Sequence, residues 1–409
     1  MKAVLLLLLI ILGAAVCFHE AFVFSNPGRD SDFAVYFAAA KVAAAGGDPY
    51  SRSAVGGELS RIGAGAGMEE YLYSSSFLVF LEPLVSMGIR NAHRVFELAT
   101  YLAVAVSILL IWRSVNLRAS RRLPLWVPVA LLVWFTPFWS NIALTQANGI
   151  ILLLLSACFY FNSRRHDFRA GAALAGAVAI KFPPVLLLLY FACRRRWRAL
   201  AGAAVTGAAL EAVSWLYFGS FLDLGLPASL LNHASSMLFY WDNMALPAML
   251  ARPLGQGSAW ASPVTLVTGA VIAAATLLVI WRRRRGGGTD QLQFALLITA
   301  ALLIPNLLFD HHLIQLLIPL SVILTMMAGP LSGLRQSLLL PLITVLGFSF
   351  VLIELDFWRV WNLSGMESWG WWAHLGSWGL LLLWGLQMYM LAAPEIYRRL
   401  EASASPAGP

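Results

Sequence analysis

Charged residues are scarce in this sequence, and their scarcity excludes an ordinary soluble protein. Asp, Glu, Lys and Arg make up 12% of the 409 residues, whereas soluble domains usually contain about 25%. Hydrophobic residues reach 60% and form apolar runs along almost the whole chain. Because one membrane-spanning helix needs about 20 mostly apolar residues, these runs predict an all-α, polytopic integral membrane protein with about 12 transmembrane helices.

Lysine and cysteine are rare as well. Only three of the 28 basic residues are lysines, and the three cysteines, Cys17, Cys158 and Cys193, lie in or beside apolar segments. Their spacing matches neither a metal site nor a disulfide framework. The net charge of +8 is compatible with nucleic-acid binding, but the arginine runs separate apolar segments. Membrane topology therefore explains them better, and we expect no nucleic-acid partner.

The two ends of the sequence predict a first apolar helix and a polar tail. An apolar run follows Lys2, but the residues before Cys17 match a small-residue cleavage site poorly, which favours an uncleaved first helix over 3–23. We expect residues 1–396 to form a single multispan domain. Residues 397–409, which end in A-S-A-S-P-A-G-P, are expected to form a disordered cytoplasmic tail.

The arginines indicate the orientation in the membrane. With Lys2 in the cytoplasm and each strong apolar segment crossing, 19 of the 28 basic residues fall on the cytoplasmic side, as the positive-inside rule requires. Both termini are then cytoplasmic in an inner or plasma membrane. The outer side receives three long pieces: 24–93, 219–261 and 354–369.

Two segments must be reinterpreted to keep this charge distribution. Segment 77–90 would move the later arginine clusters outward if it crossed, so we interpret it as re-entrant or interfacial. Segment 169–193 is interpreted as two short arms around Phe182-Pro183-Pro184, because one continuous helix would place its flanking arginines on opposite sides. Each arm is about 17 Å long, too short for a hydrocarbon core of about 30 Å. Short broken helices are tolerated where they line a cavity.

Two acids follow the first apolar segment. Asp30 or Asp32 can act as a general base if geometry and pKa suit, although loop acids are commonly just solvated. Residues 32–45 place apolar side chains on roughly one face of a helix. This pattern predicts a helix on the outer membrane surface.

Polar residues of later segments add candidates for ligand binding. An ionisable residue in the membrane zone, such as Lys181, is a functional hypothesis by default, with snorkelling to the interface as the alternative. His311 and His312 follow Asp310, and adjacent residues project to different sides of a helix, so we expect anion binding and no metal. Amide and tyrosine side chains can bind a sugar or the acceptor, or they can join neighbouring helices. The candidates of this kind are Tyr36, Tyr73, Gln146, Asn148 and Asn243.

Taken in chain order, several short motifs resemble glycosyltransferase family 87. They are D-F-A-V-Y-F-A-A-A-K from Asp32, G-G-D-P-Y ending at Tyr50, E-P-L at 82–84, T-Q-A-N-G at 145–149, A-I-K-F-P-P at 179–184 and H-H-L-I-Q-L-L-I-P-L at 311–320. The resemblance covers most of the chain. It implies the C-type glycosyltransferase fold, with an active site on the outer face beneath a long first outer loop.

The resemblance also implies a reaction. Family members move a hexose, here expected to be mannose, from a polyprenyl-phosphate donor to a lipid or glycan acceptor, with inversion. The family's acidic base matches Asp32, with Asp30 as the alternative. The departing polyprenyl phosphate needs positive charge nearby, which these residues can supply without a metal: Lys181, Arg252, His311 and His312. The donor is a substrate, so no cofactor is expected.

Two other classes of protein remain open from the residues alone. A transporter or lipid flippase often shows two related halves with matching broken helices, and only 169–193 is clearly broken here. A polysaccharide polymerase or ligase is also multispan with a large outer loop. It would favour paired outer arginines, and the outer arginines of this sequence are scattered.

Overall fold

The computed structural model describes residues 32–64, 70–116, 123–220, 222–240, 243–284, 286–355 and 375–403. Within these ranges the regular secondary structure is helical, without strands. The predicted first helix over 3–23 and Asp30 lie outside the described residues, as do Cys17 and almost all of the third outer piece. The predicted helix over 32–45 is present as Asp32–Ala44.

The first ten helices run from the first outer loop to the middle of the chain. Their bounds are α1 Asp32–Ala44, α2 Arg52–Arg61, α3 Ser75–Val85, α4 Ile89–Val115, α5 Trp126–Trp134, α6 Thr136–Ala143, α7 Asn148–Ser163, α8 Asp167–Ile180, α9 Leu187–Cys193 and α10 Trp197–Phe218. A 3-10 turn, Pro183–Leu186, leads directly into α9.

The remaining helices complete the bundle. They are α11 Leu226–Ser236, α12 Leu246–Ala251, α13 Ala261–Arg283, α14 Asp290–Leu303, α15 Leu317–Ala328, α16 Gln336–Glu354, α17 Leu375–Ala392 and α18 Pro394–Ala402. The 3-10 segment Asp310–Leu316 precedes α15 and continues into it. The most extensive helix pairings are α8 with α10, α4 with α7, α7 with α8, and α16 with α17.

Six helical segments of the described chain are long and apolar enough to cross a membrane: 89–115, 197–218, 261–283, 310–328, 336–354 and 375–392. The bent pair α5 and α6, with an angle of 60° between its helices, would make a seventh if it is one span. Several other apolar segments form helices of only 10–17 residues. The protein is therefore an integral membrane protein, while the expected total of about 12 spans and the C-type fold remain predictions.

The chain is broken at Lys181, as the two prolines predict. Helix α8 ends at Ile180, Lys181 is extended (φ −145°, ψ 129°), and a 3-10 turn begins at Pro183. Proline has no N–H to donate to the carbonyl four residues earlier, and its ring clashes with that carbonyl, so two consecutive prolines interrupt a continuous helix here. The break divides 169–193 into the two arms expected from the charge pattern, and it leaves Lys181 at their junction.

Helices α8 and α10 approach each other closely. A Cβ atom at Gly202 would lie 2.2 Å from the carbonyl oxygen of Phe168, and one at Gly171 would lie 1.7 Å from that of Ala199. Only glycine permits such contact between backbones. Small residues of this kind let membrane helices pack by van der Waals contact where lipid provides no hydrophobic driving force.

Segment 77–90 contains a short helix and not a span. Helix α3 has 11 residues, or about 16 Å. The chain then turns at Gly88, which has a φ of +71°, and α4 begins at Ile89. This length agrees with a re-entrant or interfacial segment, which stays a prediction.

Helix α1 is buried, and the prediction that it lies on the outer membrane surface is wrong. Every side chain from Phe33 to Ala40 is buried. The helix packs against α2 and α3, and the Phe33 ring lies 5.0 Å from that of Phe96 in α4. The aromatic residues occupy one face, but the alanines opposite them allow neighbouring helices to pack there as well. A helix that is apolar all round is an interior helix.

The carboxyl terminus also differs from the expected tail over 397–409. Helix α18 reaches Ala402, with Ile396 and Leu400 buried. The backbone N–H groups of Gly287 and Gly288 donate to the Glu401 carboxylate at 3.1 and 3.2 Å. Residues 397–402 of the expected tail therefore belong to an amphipathic helix, and its Glu401 carboxylate accepts from the backbone just before α14.

Three of the arginines that the sequence analysis assigned to the cytoplasmic side form ion pairs with one carboxylate. Asp290, at the start of α14, contacts the guanidinium groups of Arg165 (3.0 Å), Arg194 and Arg196 (3.4 Å). Arg194, Arg196 and Asp290 are each more than nine-tenths buried at the side chain. Arg196 also contacts Asp167 at 3.1 Å. This ion cluster joins the ends of α7, α8, α10 and α14.

Candidate functional site

The amino terminus of α1 presents Asp32 beside the turn between α6 and α7. The Asp32 backbone N–H donates to the carbonyl of Leu144 at 3.1 Å, and the Gln146 N–H donates to that of Asn141 at 2.9 Å. Thr145 between them has a φ of +50°, a conformation that non-glycine residues adopt rarely. The tight turn therefore fixes Asp32 and Gln146 relative to each other.

Two tyrosines and one amide form a hydrogen-bonded group next to Asp32. Tyr36 lies one helical turn after Asp32, and its hydroxyl donates to Gln146 Oε1 at 2.9 Å. The Tyr36 and Tyr73 hydroxyl oxygens are 2.7 Å apart, and Tyr73 lies 3.2 Å from the same amide oxygen. All three side chains are buried. The structure thus brings together three of the five predicted sugar or acceptor ligands.

Lys181 joins this group from the helix break. Its Nζ lies 2.5 Å from His312 Nε2 and 5.7 Å from the centroid of the Tyr73 ring. An ammonium over an aromatic face is attracted by the ring quadrupole. The break in the chain and the 3-10 segment Asp310–Leu316 therefore meet at the tyrosines.

The His312 ring is oriented by the backbone. The N–H of Phe309 donates to His312 Nδ1 at 3.3 Å, so in the neutral ring the hydrogen is on Nε2. Since a lysine ammonium also carries only donors, two donors converge between Lys181 and His312. An anionic oxygen placed between these nitrogens can accept a hydrogen bond from both. If the lysine loses a proton, its nitrogen can instead accept from His312 Nε2.

His311 has different polar partners from His312, although the two rings meet edge to face with centroids 4.5 Å apart, closer than the sequence analysis expects for residues on different sides of a helix. Its backbone N–H donates to Asp310 Oδ1 at 2.6 Å, and its ring nitrogen Nδ1 lies 3.4 Å from the same oxygen. The ring stacks on Phe309 with centroids 5.6 Å apart. In the part of the chain that the structure describes, no three His, Cys, Asp or Glu residues are grouped for a metal.

The electrostatics of Asp32 reflect burial opposed by positive charge. Its side chain is partly exposed at the surface, yet protein atoms surround it closely, and this burial raises the pKa of the carboxyl above its usual 3.8. The charges of His311, Lys181 and His233 oppose the increase in pKa, in that order. Groups from three separate segments of the chain therefore act electrostatically on the Asp32 carboxyl.

The other predicted residues occupy different positions. Asn243 uses its whole amide on backbone groups: it accepts from Ala245 and Leu308 and donates to Met237 and Asn306. Asn243 therefore stabilises the local loop conformation through these backbone hydrogen bonds. Arg252 donates through Nη2 to the carbonyls of Tyr240 (2.7 Å) and Asn243 (2.5 Å).

Asn148 is buried at the start of α7, and its amide has no hydrogen-bond partner among the described residues. Asn141 in α6 is buried as well, and its side-chain amide also has no hydrogen-bond partner among the described residues. No sequence pattern indicated it. His93 was also missed. It lies 2.8 Å from the Thr145 hydroxyl and supports the turn that positions Asp32. The sequence signal for both was weak, because one isolated amide or histidine has no diagnostic spacing.

Within the described residues, the structure shows an integral membrane protein with a buried polar group, Tyr36, Tyr73 and Gln146, beside Asp32 and Lys181. Residues 71–309 match glycosyltransferase family 87, and the chain belongs to this family. The matched range includes six of the predicted site residues and ends before His311; Asp32 and Tyr36 precede it.

Two relatives are mycobacterial. The chain is 28% identical over 237 residues to the polyprenol-phosphate-mannose-dependent alpha-(1-2)-phosphatidylinositol pentamannoside mannosyltransferase of Mycolicibacterium smegmatis, covering 56% of this chain and 54% of the relative. It is 35% identical over 97 residues to the polyprenol-phosphate-mannose-dependent alpha-(1-2)-phosphatidylinositol mannoside mannosyltransferase of Mycobacterium tuberculosis, covering 22% and 21%. The chain spans about half the length of the first.

Proposed function

We propose that this protein is a membrane hexosyltransferase that moves mannose from a polyprenyl-phosphate donor to a hydroxyl of a lipid or glycan acceptor, with inversion. The observation that carries the proposal is the meeting of Asp32 with Lys181 and the Tyr36–Tyr73–Gln146 group. A glycosyl transfer from a lipid phosphate needs these three functions: a base, a phosphate-binding cation and groups that bind a sugar.

Asp32 is the base in this proposal. Its carboxylate accepts the proton of the acceptor hydroxyl while the hydroxyl oxygen attacks the anomeric carbon of the donor. The bond from that carbon to the phosphate oxygen breaks, and its electron pair leaves with the polyprenyl phosphate. Burial helps because a carboxyl with a raised pKa binds the transferred proton more strongly. It must still be ionised before each reaction.

Lys181 and His312 bind the leaving phosphate. Negative charge on the phosphate grows as the bond breaks, and donors that are already aimed at this charge stabilise the transition state more than the ground state. The two nitrogens are 2.5 Å apart and both are donors once the lysine is charged. An oxygen of the phosphate inserts between them and separates them. His311, which remains with Asp310, adds positive charge only when protonated.

Tyr36, Tyr73 and Gln146 orient the sugar. The amide nitrogen of Gln146 and the tyrosine hydroxyls can exchange their mutual hydrogen bonds for bonds to sugar hydroxyls, and the Tyr73 ring offers a stacking face. The unpartnered amide of Asn148 lies two residues from Gln146. This arrangement favours a hexose, since each ring hydroxyl needs a partner when water is excluded.

The topology of the site suits substrates that arrive within the membrane. Lys181 lies between the 14-residue helix α8 and the short apolar helical segment Pro183–Cys193, and such breaks are found where membrane proteins bind polar groups. The charge distribution supports an active site on the outer face. Both relatives are named for phosphatidylinositol mannoside acceptors, so a membrane-bound mannoside is our first choice of acceptor.

The test uses the purified protein in lipid vesicles. Labelled polyprenyl-phosphate mannose, polyprenyl-phosphate glucose and a nucleotide-linked mannose are each supplied with phosphatidylinositol mannosides or a lipid extract. We expect labelled lipid product only from polyprenyl-phosphate mannose. Consumption of the nucleotide-linked sugar, or consumption of no donor with any acceptor, would contradict the proposed function.

A further inference from the structure

Two turns of the chain share one sequence pattern and one backbone conformation. The pattern is Tyr-Phe-x-x-Arg-Arg, and it occurs at 160–165 and at 190–195. In both turns the N–H of the first arginine donates to the carbonyl of the tyrosine, at 3.1 and 3.0 Å. The second arginine is left-handed in both, with a φ of +61° at Arg165 and +54° at Arg195. The surroundings of these two arginines can therefore be compared directly.

The two turns lie together at one end of the bundle. Asp290 contacts Arg165 of the first turn at 3.0 Å, and it also contacts Arg194 of the second turn and Arg196 just after it. Helices α8 and α10, which follow the turns, are the pair that packs through glycine. The arginines of both turns consequently form one basic surface.

The left-handed arginines differ in their partners. Arg165 is paired with Asp290. Arg195 is exposed, and among the described residues its guanidinium has neither a hydrogen bond nor an ion pair. Arg198, three residues later on α10, is also exposed and has no such partner in the same part of the chain. The second turn therefore carries two positive charges that the described protein does not neutralise.

These two arginines lie at the level of the lipid headgroups. Helix α10 is long and apolar enough to cross a membrane, and only 17% of its apolar window is buried inside the protein, so most of its surface faces lipid. Its first residue, Trp197, is 65% exposed, and Phe168 at the start of α8 is 48% exposed. Exposed tryptophan at the end of a spanning helix is typical of the membrane–water interface.

Charge asymmetry across the membrane explains why arginines occur on this side, but it does not explain an arginine in a left-handed conformation. Glycine adopts this conformation without steric cost, whereas other residues retain it mainly where a ligand or a neighbouring group uses the side chain. For Arg165 that group is Asp290. The equivalent anion for Arg195 must come from outside the described protein.

We propose that Arg195 and Arg198 bind the phosphate headgroup of an anionic phospholipid in the leaflet at this end of α10. Guanidinium groups donate two parallel hydrogen bonds to phosphate oxygens, and basic surfaces beside membrane helices bind anionic headgroups. The phosphate occupies at Arg195 the position that the Asp290 carboxylate has at Arg165. The exposed Trp197 ring, between the two arginines in sequence, packs against the apolar part of the same lipid.

The experiment measures lipid selectivity of the full-length protein in phosphatidylcholine vesicles. Spin-labelled phosphatidylglycerol and phosphatidylcholine report the affinity of the protein for one relative to the other. Arg195→Gly should lower the relative affinity for phosphatidylglycerol about fivefold, the factor for one basic residue near an anionic surface. Because glycine fits the left-handed conformation, the melting temperature in phosphatidylcholine alone should not fall. Arg198→Gln should lose a similar factor, and Arg335→Gln, at an exposed arginine just before α16, should lose little.

Three outcomes would overturn the inference. Unchanged selectivity in both Arg195→Gly and Arg198→Gln would show that the lipid does not bind there. An equal loss in Arg335→Gln would show that only the general surface charge matters. Displacement of the spin-labelled phosphatidylglycerol by inorganic phosphate at the same concentration would show that the arginines bind the free anion and not a lipid. The measurement does not use sugar transfer, so its result is independent of the proposed function.

Discussion

The function of Lys181 gives the sharpest prediction about the chemistry. Lys181→Met removes the ammonium that lies 2.5 Å from His312 Nε2 and over the Tyr73 ring while keeping an unbranched side chain of similar length. Loss of one preorganised group that stabilises developing charge costs about 10²–10³-fold in kcat, or about 3–4 kcal/mol. We expect a decrease in kcat of this size for polyprenyl-phosphate mannose.

The assay follows labelled mannose into the lipid product at saturating donor. Lys181→Arg keeps the charge but not the compact shape of the ammonium, so it should recover only part of the rate. The matched control is Lys41→Met. Lys41 lies on α1, where it pairs with Glu58 and is 38% exposed, so its removal should change kcat little. Activity of Lys181→Met within threefold of the control would refute the reasoning.

Three further predictions concern the fold and the pH profile. Asp290→Asn leaves buried guanidinium groups without their carboxylate, so it should lower the free energy of unfolding by about 3–5 kcal/mol, as measured by chemical denaturation in detergent. Gly202→Ala should lower the melting temperature strongly, because its Cβ would lie 2.2 Å from the Phe168 carbonyl. Gly207→Ala on the same helix, where nothing lies within 4 Å, should not. In a pH profile, kcat/KM should fall as acid protonates the Asp32 carboxylate, and because burial raises the pKa of this group, the midpoint should lie above 3.8; a midpoint below that value would contradict the assignment.

The sequence was sufficient to predict features that depend on local chemistry. The helix break at Lys181 follows from two consecutive prolines, and the structure confirms it. Such features need no knowledge of which helices are neighbours, and so they can be read from one segment alone.

Features that depend on packing were harder to predict. Helix α1 has an apolar face that is typical of a surface helix, but its alanines let α2 and α3 pack on the other side. Asn243 was selected as a sugar ligand because of its residue type, whereas its amide is fully used by backbone groups of 237–308. The residues that complete a buried amide lie far away in sequence and have no local pattern.

The same reasoning explains why the contact between His233 Nδ1 and Glu70 Oε2, which are 2.6 Å apart, has no sequence signal. The two residues are 163 positions apart in the chain, and only the approach of α11 to the residues before α3 brings them together. The ordered α18 was missed for a related reason: its stability comes from Leu400 and Glu401 contacting the start of α14, not from its own composition. Tertiary contacts, and not helix propensity, decide whether such short helices form.

The central claim is that Asp32 is the base that activates the acceptor, in the same site that binds the donor phosphate. The most direct measurement is a single-turnover experiment on Asp32→Asn with labelled polyprenyl-phosphate mannose. The amide keeps the size of the side chain but cannot accept the proton. We predict donor binding close to that of wild type and transfer slowed by at least about 10²-fold. Transfer at the wild-type rate would contradict the claim.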